Sequence, residues 1–202
     1  VGAGLAFPSR LNTQASFSPV PPAAPGTVPT PAVSRGAASY VFDTSFDLFA
    51  TLGYRFSNFF RLEGEFNYSS FNLSRIEVAG LLTPAQGSLQ TYSGLVNFIA
   101  DIDLPGLRNV VVPYVGGGIG YTSVAAANLT APGFTTINET IGSFAYQVKA
   151  GLAFRVDRQA TIDLGYRFLS TSDLNFPDNQ GNRIGTSPFS TNAVDLSFRY
   201  NF

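Results

Sequence analysis

Between Phe144 and Phe168 the chain alternates apolar and polar positions on both sides of one short interruption. Phe144, Tyr146, Val148, Ala150, Leu152, Phe154 and Val156 share one parity, and Ala145, Gln147, Lys149, Gly151, Ala153 and Arg155 the other. Beyond Asp157–Arg158, Ala160, Ile162, Leu164, Tyr166 and Phe168 oppose Thr161, Asp163, Gly165 and Arg167. A period of two is that of a strand, so the stretch predicts a hairpin with a tight turn at Asp157–Arg158. One face is almost wholly apolar; the other carries Lys, Arg, Asp and small residues. That division suits a wall with hydrocarbon on one side and a polar interior on the other.

The same pattern recurs along the chain. Val1, Ala3, Leu5 and Phe7 alternate with Gly2, Gly4 and Ala6 in a first strand. Residues 8–38 then hold seven prolines among Ala, Ser, Thr and Gly, which predicts a long unpaired loop. A second strand over about 40–56 sets Phe46, Leu48, Ala50, Leu52, Tyr54 and Phe56 outward against Asp47, Phe49, Thr51, Gly53 and Arg55 inward. After a turn at 57–59, a third strand (60–71) alternates Phe60, Leu62, Gly64, Phe66 and Tyr68 with Arg61, Glu63, Glu65 and Asn67. A loop over 72–87 leads to a fourth strand (88–102), in which Asn97 and Asp101 point inward, and a turn around Leu104–Pro105–Gly106 leads to a fifth (109–123). The run from Gly116 to Gly120 superficially suits a phosphate loop, but it lacks the lysine and the following helix, and its flanks alternate as a strand. A loop over 124–141 precedes the hairpin described first. Another, 171–189, precedes a last strand (191–202) with Val194, Leu196, Phe198, Tyr200 and Phe202 outward.

The expectation is a single domain over residues 1–202: an all-β, eight-stranded, antiparallel up-and-down transmembrane β-barrel. Its long loops gather at one rim. The tight turns and both chain ends gather at the other, as in outer-membrane barrels with short periplasmic turns and longer external loops. Closure removes the sheet edges, whose unpaired backbone groups hydrocarbon does not tolerate.

The inward parity carries Arg55, Arg61, Lys149, Arg155, Arg167 and Arg199 against Asp47, Glu63, Glu65, Asp101, Asp163 and Asp195. An assumed antiparallel register sets Asp163 opposite Arg199 and Arg167 opposite Asp195. Across the turn at 57–59, Arg55 falls near Arg61, so a carboxylate such as Glu63 is needed close by. Asp101, Arg155 and Arg199 are expected toward the short-turn rim. Eight strands enclose a space that side chains fill, so the balanced charges predict a plugged lumen and a structural role. Glu63 and Glu65 are not read as a glycosidase pair, since arginine flanks them on a closed wall.

Composition narrows the chemistry. Cysteine and histidine are both absent, which removes disulfides, thiol nucleophiles, His-based metal sites and a Ser–His–Asp triad. No catalytic residue, metal site or cofactor is expected. A net charge of −1 without a basic tract argues against nucleic acid. The opening residues lack a basic region before an apolar core, so a signal peptide is expected to have been removed already. With 19 Phe and 9 Tyr, the chain has material for aromatic belts at two membrane interfaces.

Leu52–Phe56, Arg61–Phe66, Pro113–Gly120, Ala150–Phe154, Asp163–Phe168 and the closing Phe198-Arg-Tyr-Asn-Phe202 together resemble the small outer-membrane barrels: opacity-type porins, their surface-antigen relatives, and the OmpA- and OmpX-like proteins. The resemblance implies periplasmic termini, outer-membrane lipid and lipopolysaccharide as surroundings, and the barrel-assembly machinery as a partner during insertion. Phe202 then looks like the carboxy-terminal signal that this machinery reads. It further implies a non-enzymatic, porin-like cell-surface protein, with an adhesin- or antigen-like role through external loops that contact a surface or envelope partner. Candidate contact residues are Phe17, Tyr40, Phe71, Phe134, Phe176 and Phe189. The alternatives are a narrow conduit for small apolar solutes of the OmpW-like kind, or an accessory subunit of a larger envelope assembly.

Overall fold

The computed structural model describes residues 1–15, 36–57, 59–78, 81–102, 104–106, 110–130, 139–177 and 183–202. Its strands are β1 (Gly2–Pro8), β2 (Leu11–Ala15), β3 (Gly36–Phe42), β4 (Ser45–Arg55), β5 (Phe60–Val78), β6 (Leu81–Pro84), β7 (Gln86–Asp101), β8 (Val111–Thr130), β9 (Thr140–Arg155), β10 (Ala160–Thr171), β11 (Leu174–Pro177), β12 (Arg183–Thr186) and β13 (Ser190–Tyr200). Eight of them pair antiparallel in the cyclic order β1-β4-β5-β7-β8-β9-β10-β13 and close into a barrel. The seam joins β1 to β13, from Gly2 opposite Ser197 to Pro8 opposite Thr191.

Side-chain placement follows the alternation. Phe46 and Leu52 are 76% and 74% exposed on the outer wall, whereas Asp47 and Glu65, on the other parity, are 1% and 4% exposed. This is the inverse of a soluble protein and fits a wall bathed in hydrocarbon. On β5 the outward apolar run from Phe60 to Tyr68 has the length of about nine residues that a tilted strand needs to cross a bilayer. Ser70 and Asn72 follow it on the same parity. Aromatic rings mark both ends of the band. Phe56, Phe60 and Phe98 pack together toward the short turns, with centroids 5.3–6.1 Å apart. Tyr68 meets Tyr92 at 5.1 Å at the other boundary.

The long connections are more structured than the sequence suggests. β2 and β3 pair Leu11 with Tyr40 through to Ala15 with Gly36, so both flanks of the 8–38 segment are strands; these flanks lack the prolines that crowd its middle. The expected 40–56 strand breaks at Asp43–Thr44. Its first part, β3, joins the upper half of β5, and its second, β4, joins the lower half of β5 and β1. The 72–87 segment is a continuation of β5 that turns back through β6, and 171–189 contains the β11–β12 pair. β8 runs on to Thr130. Together β11-β12-β2-β3-β5-β6 form a second sheet that rises from the long-loop rim.

Described residues of the short turns bond locally. Ser57 Oγ accepts N–H bonds from Phe59 (3.1 Å) and Phe60 (3.0 Å). Gly106, at φ +89°, takes the left-handed conformation that its turn requires. The β9–β10 connection is wider than the predicted two-residue turn. It spans residues 156–159, with Val156 and Asp157 both donating to the Ala160 carbonyl.

Candidate functional site: the charged lumen and its apolar cap

Inward parity brings charges from six different strands into one channel. At its centre, Arg167 on β10 donates through Nε to Asp195 Oδ2 at 2.9 Å, through Nη2 to Asp195 Oδ1 at 3.2 Å and to Asp47, and lies 3.6 Å from Glu65. Lys149 Nζ donates to Glu65 Oε2 at 2.6 Å. β9 and β10 set Lys149 directly opposite Arg167, an unfavourable like-charge pair. Glu65 reaches from the far wall and offsets both, hydrogen-bonding Lys149 and lying within ion-pair distance of Arg167. Phe49 packs against both, with each cation 5.3–5.4 Å from its ring centroid.

Neutral amides extend the cluster. Asn67 donates to Asp47 at 2.7 Å, Asn97 to Glu65 at 3.1 Å, and Gln147 to Asn97 at 2.5 Å. None of these, nor Phe49, is among the charged candidates read from the sequence, although all share their inward parity. Gly4 makes the arrangement sterically feasible. It pairs with Asp195 on one side and Asp47 on the other, and a Cβ there would collide with both carboxylates.

A second cluster lies nearer the short turns. Arg61 contacts Glu63 at 3.0 Å and Asp101 at 3.2 Å, and Arg55 also reaches Asp101 at 3.2 Å. Arg55 and Arg61 stand opposite each other, so Asp101 bridges a second like-charge pair, with Glu63 assisting. Arg199 donates to Asp163 at 3.1 Å. Arg155 is exposed at the mouth and makes no ion pair among the described residues.

The assumed register between the last two barrel strands is two residues out. Asp163 faces Ser197 and Arg167 faces Ala193. The pairs Arg199–Asp163 and Arg167–Asp195 form all the same, along the diagonal, because a long guanidinium side chain spans a two-residue offset.

Above this polar storey the interior changes character. Phe71, Phe189, Leu89, Val124 and Leu174 are all but fully buried, and with Leu11, Phe42, Leu73 and Ile76 they form an apolar core at the long-loop end. Phe189 meets Phe71 and Phe42 edge-on at 5.7 and 6.3 Å. Two candidate contact residues, Phe71 and Phe189, are therefore interior. They follow the inward parity into a part of the barrel beyond the charged zone, and no partner at the surface can reach them. Tyr40 packs partly buried against the same core, where burial pushes its hydroxyl pKa up. Phe176 sits in β11; Phe17 and Phe134 lie outside the described residues. Phe202 lies at the short-turn rim, almost wholly exposed.

Residues 14–202 match the family model described as the outer membrane protein beta-barrel domain. A protein of Gluconacetobacter diazotrophicus described as an outer membrane protein is 31% identical over 140 residues, which is 65% of this chain and 36% of that relative. The chain thus spans about a third of the length of the curated relative it matches. Neisserial surface protein A (NspA) superposes with a TM-score of 0.54 at 14% identity, over 100% of this chain and 97% of that one. OprG of Pseudomonas aeruginosa gives 0.54 at 13% identity, over 99% and 97%. Both are likenesses of fold. With its closed eight-stranded wall, its apolar exterior and a family match across almost every strand, the chain belongs to the outer membrane protein beta-barrel domain family.

Proposed function

We propose that this chain is a non-enzymatic surface protein of the outer membrane whose working face is the long-loop rim, turned outward, with the short turns and both ends of this chain on the periplasmic side. The observation that carries the reading is the second sheet built on that rim and backed by the apolar core around Phe71 and Phe189. A barrel that only filled the bilayer would need neither. The sheet offers a semi-rigid platform for contact with an envelope component or an external surface, while lipid and lipopolysaccharide surround the wall and the assembly machinery inserts it.

A conduit for small apolar solutes fits less well. A solute moving along the axis would meet Arg167 with its three carboxylates and then a close-packed apolar core, and eight-stranded barrels are filled by side chains. The ion-paired charges deeper in the lumen are best read as structural, each needing its partner.

Orientation is tested by labelling, for which a cysteine-free chain is convenient. On intact cells a membrane-impermeant maleimide is expected to label Asp173→Cys at the long-loop rim and to leave Gln159→Cys at the short-turn rim unlabelled until the outer membrane is permeabilised. The opposite pattern would reverse the proposal.

A further inference from the structure

The lumen is closed at one end and open at the other. At the short-turn rim a cavity of about 890 Å³ is walled by Arg55, Arg155, Arg158 and Arg199, with Asp101 and Asp157 as its acids. Those acids are already engaged. Asp101 is ion-paired with Arg55 and Arg61, although neither of its buried oxygens accepts a hydrogen bond among the described residues, and Asp157 Oδ1 accepts the backbone N–H of Arg158 at 2.5 Å. Deeper in, Glu63 is taken by Arg61 and Asp163 by Arg199.

Among the described residues Arg155 and Arg158 have no ion pair, and the buried Nε and Nη1 of Arg199 have no hydrogen-bond partner. The central cluster, by contrast, sets Asp47, Glu65 and Asp195 against only Arg167 and Lys149. Charge within the lumen is therefore displaced along the axis, with the surplus of cations at the mouth.

We propose that this mouth is an anion-binding vestibule for a phosphate-bearing group, held by Arg155 and Arg158 at the lip and by the free N–H groups of Arg199 further in. The guanidinium fork matches phosphate oxygens two at a time, and the recessed wall focuses the field of the unpaired cations. The group can come from a water-soluble phosphate compound or from the headgroup of a lipid in the adjoining leaflet.

The test uses the full chain with inorganic pyrophosphate as the probe. In an uncharged maltoside detergent at low salt, calorimetric titration is expected to give saturable binding that weakens as salt is added. The double variant Arg155→Gln/Arg158→Gln is expected to lose at least about tenfold in affinity, the equivalent of about 1.4 kcal/mol, with its folded gel mobility unchanged because neither side chain takes part in the lumen pairs. Arg199→Lys, which keeps a cation beside Asp163, is expected to show a smaller loss. If pyrophosphate binds equally in phosphatidylcholine and phosphatidylglycerol vesicles, the site takes a soluble ligand; if phosphatidylglycerol alone abolishes binding, a lipid headgroup occupies it. Absence of saturable binding, or an affinity unchanged in the folded double variant, would overturn the proposal.

Discussion

Arg167 is the side chain on which the interior most depends. It holds Asp47, Asp195 and Glu65 together where water is scarce, and removing one partner of a buried pair leaves the others uncompensated, at a cost of about 3–5 kcal/mol. Arg167→Met is therefore expected to lower the unfolding free energy, read from a urea titration of the folded band in unheated gels, by that amount. Adding Asp195→Asn should cost much less than the sum of the two single changes, because the two residues form one unit. Gly4→Ala offers an independent check. Its methyl group would push Asp47 and Asp195 off Arg167, an overpacking effect of about 1–3 kcal/mol, and the same gel assay should report it although no charge has changed.

Among the elements, β5 does two kinds of work. From Phe60 to Tyr68 it is membrane wall, to Asn72 it still pairs with β7, and from Leu73 to Val78 it is the shared strand of the second sheet, with Phe71, Leu73 and Ile76 in the apolar core. Phe71→Ala or Phe189→Ala is expected to cost about 3–5 kcal/mol. Hydrogen exchange should rise first in β3, β6 and the upper part of β5, while β9 and β10 around Lys149 and Arg167 stay protected. The wall was legible in the sequence because a half-buried strand writes its parity into every second residue. The upper sheet was not, because short strands such as Leu11–Ala15 and Arg183–Thr186 carry too few alternations to stand out beside proline and glycine. The β10–β13 register was missed for a related reason. A long connection separates those strands, and with no tight turn to fix the offset the charges suggested partners directly across, when the side chains reach diagonally. Phe71 and Phe189 read as rim aromatics from the sequence because they fall at the edges of the predicted strands 60–71 and 191–202, whereas the buried interior continues past both.

At the scale of the whole molecule, the barrel is a vessel sealed at one rim and open at the other. Reconstituted in a planar bilayer, it is expected to show no resolved single-channel conductance steps, since ions entering at Arg155 meet first the paired charges and then the apolar core. Steps of a defined size in the unmodified protein would mean that the interior opens.

The β1–β13 seam has a further consequence, one of timing. Val1 donates to the Phe198 carbonyl across almost the entire length of the sequence, so the ring cannot shut until its last strand has been synthesised. Until then an incomplete sheet has two unsatisfied borders, which would zip onto any neighbouring strand. Exposure of those borders is therefore ended only by the meeting of the strands farthest apart in the sequence, β1 and β13.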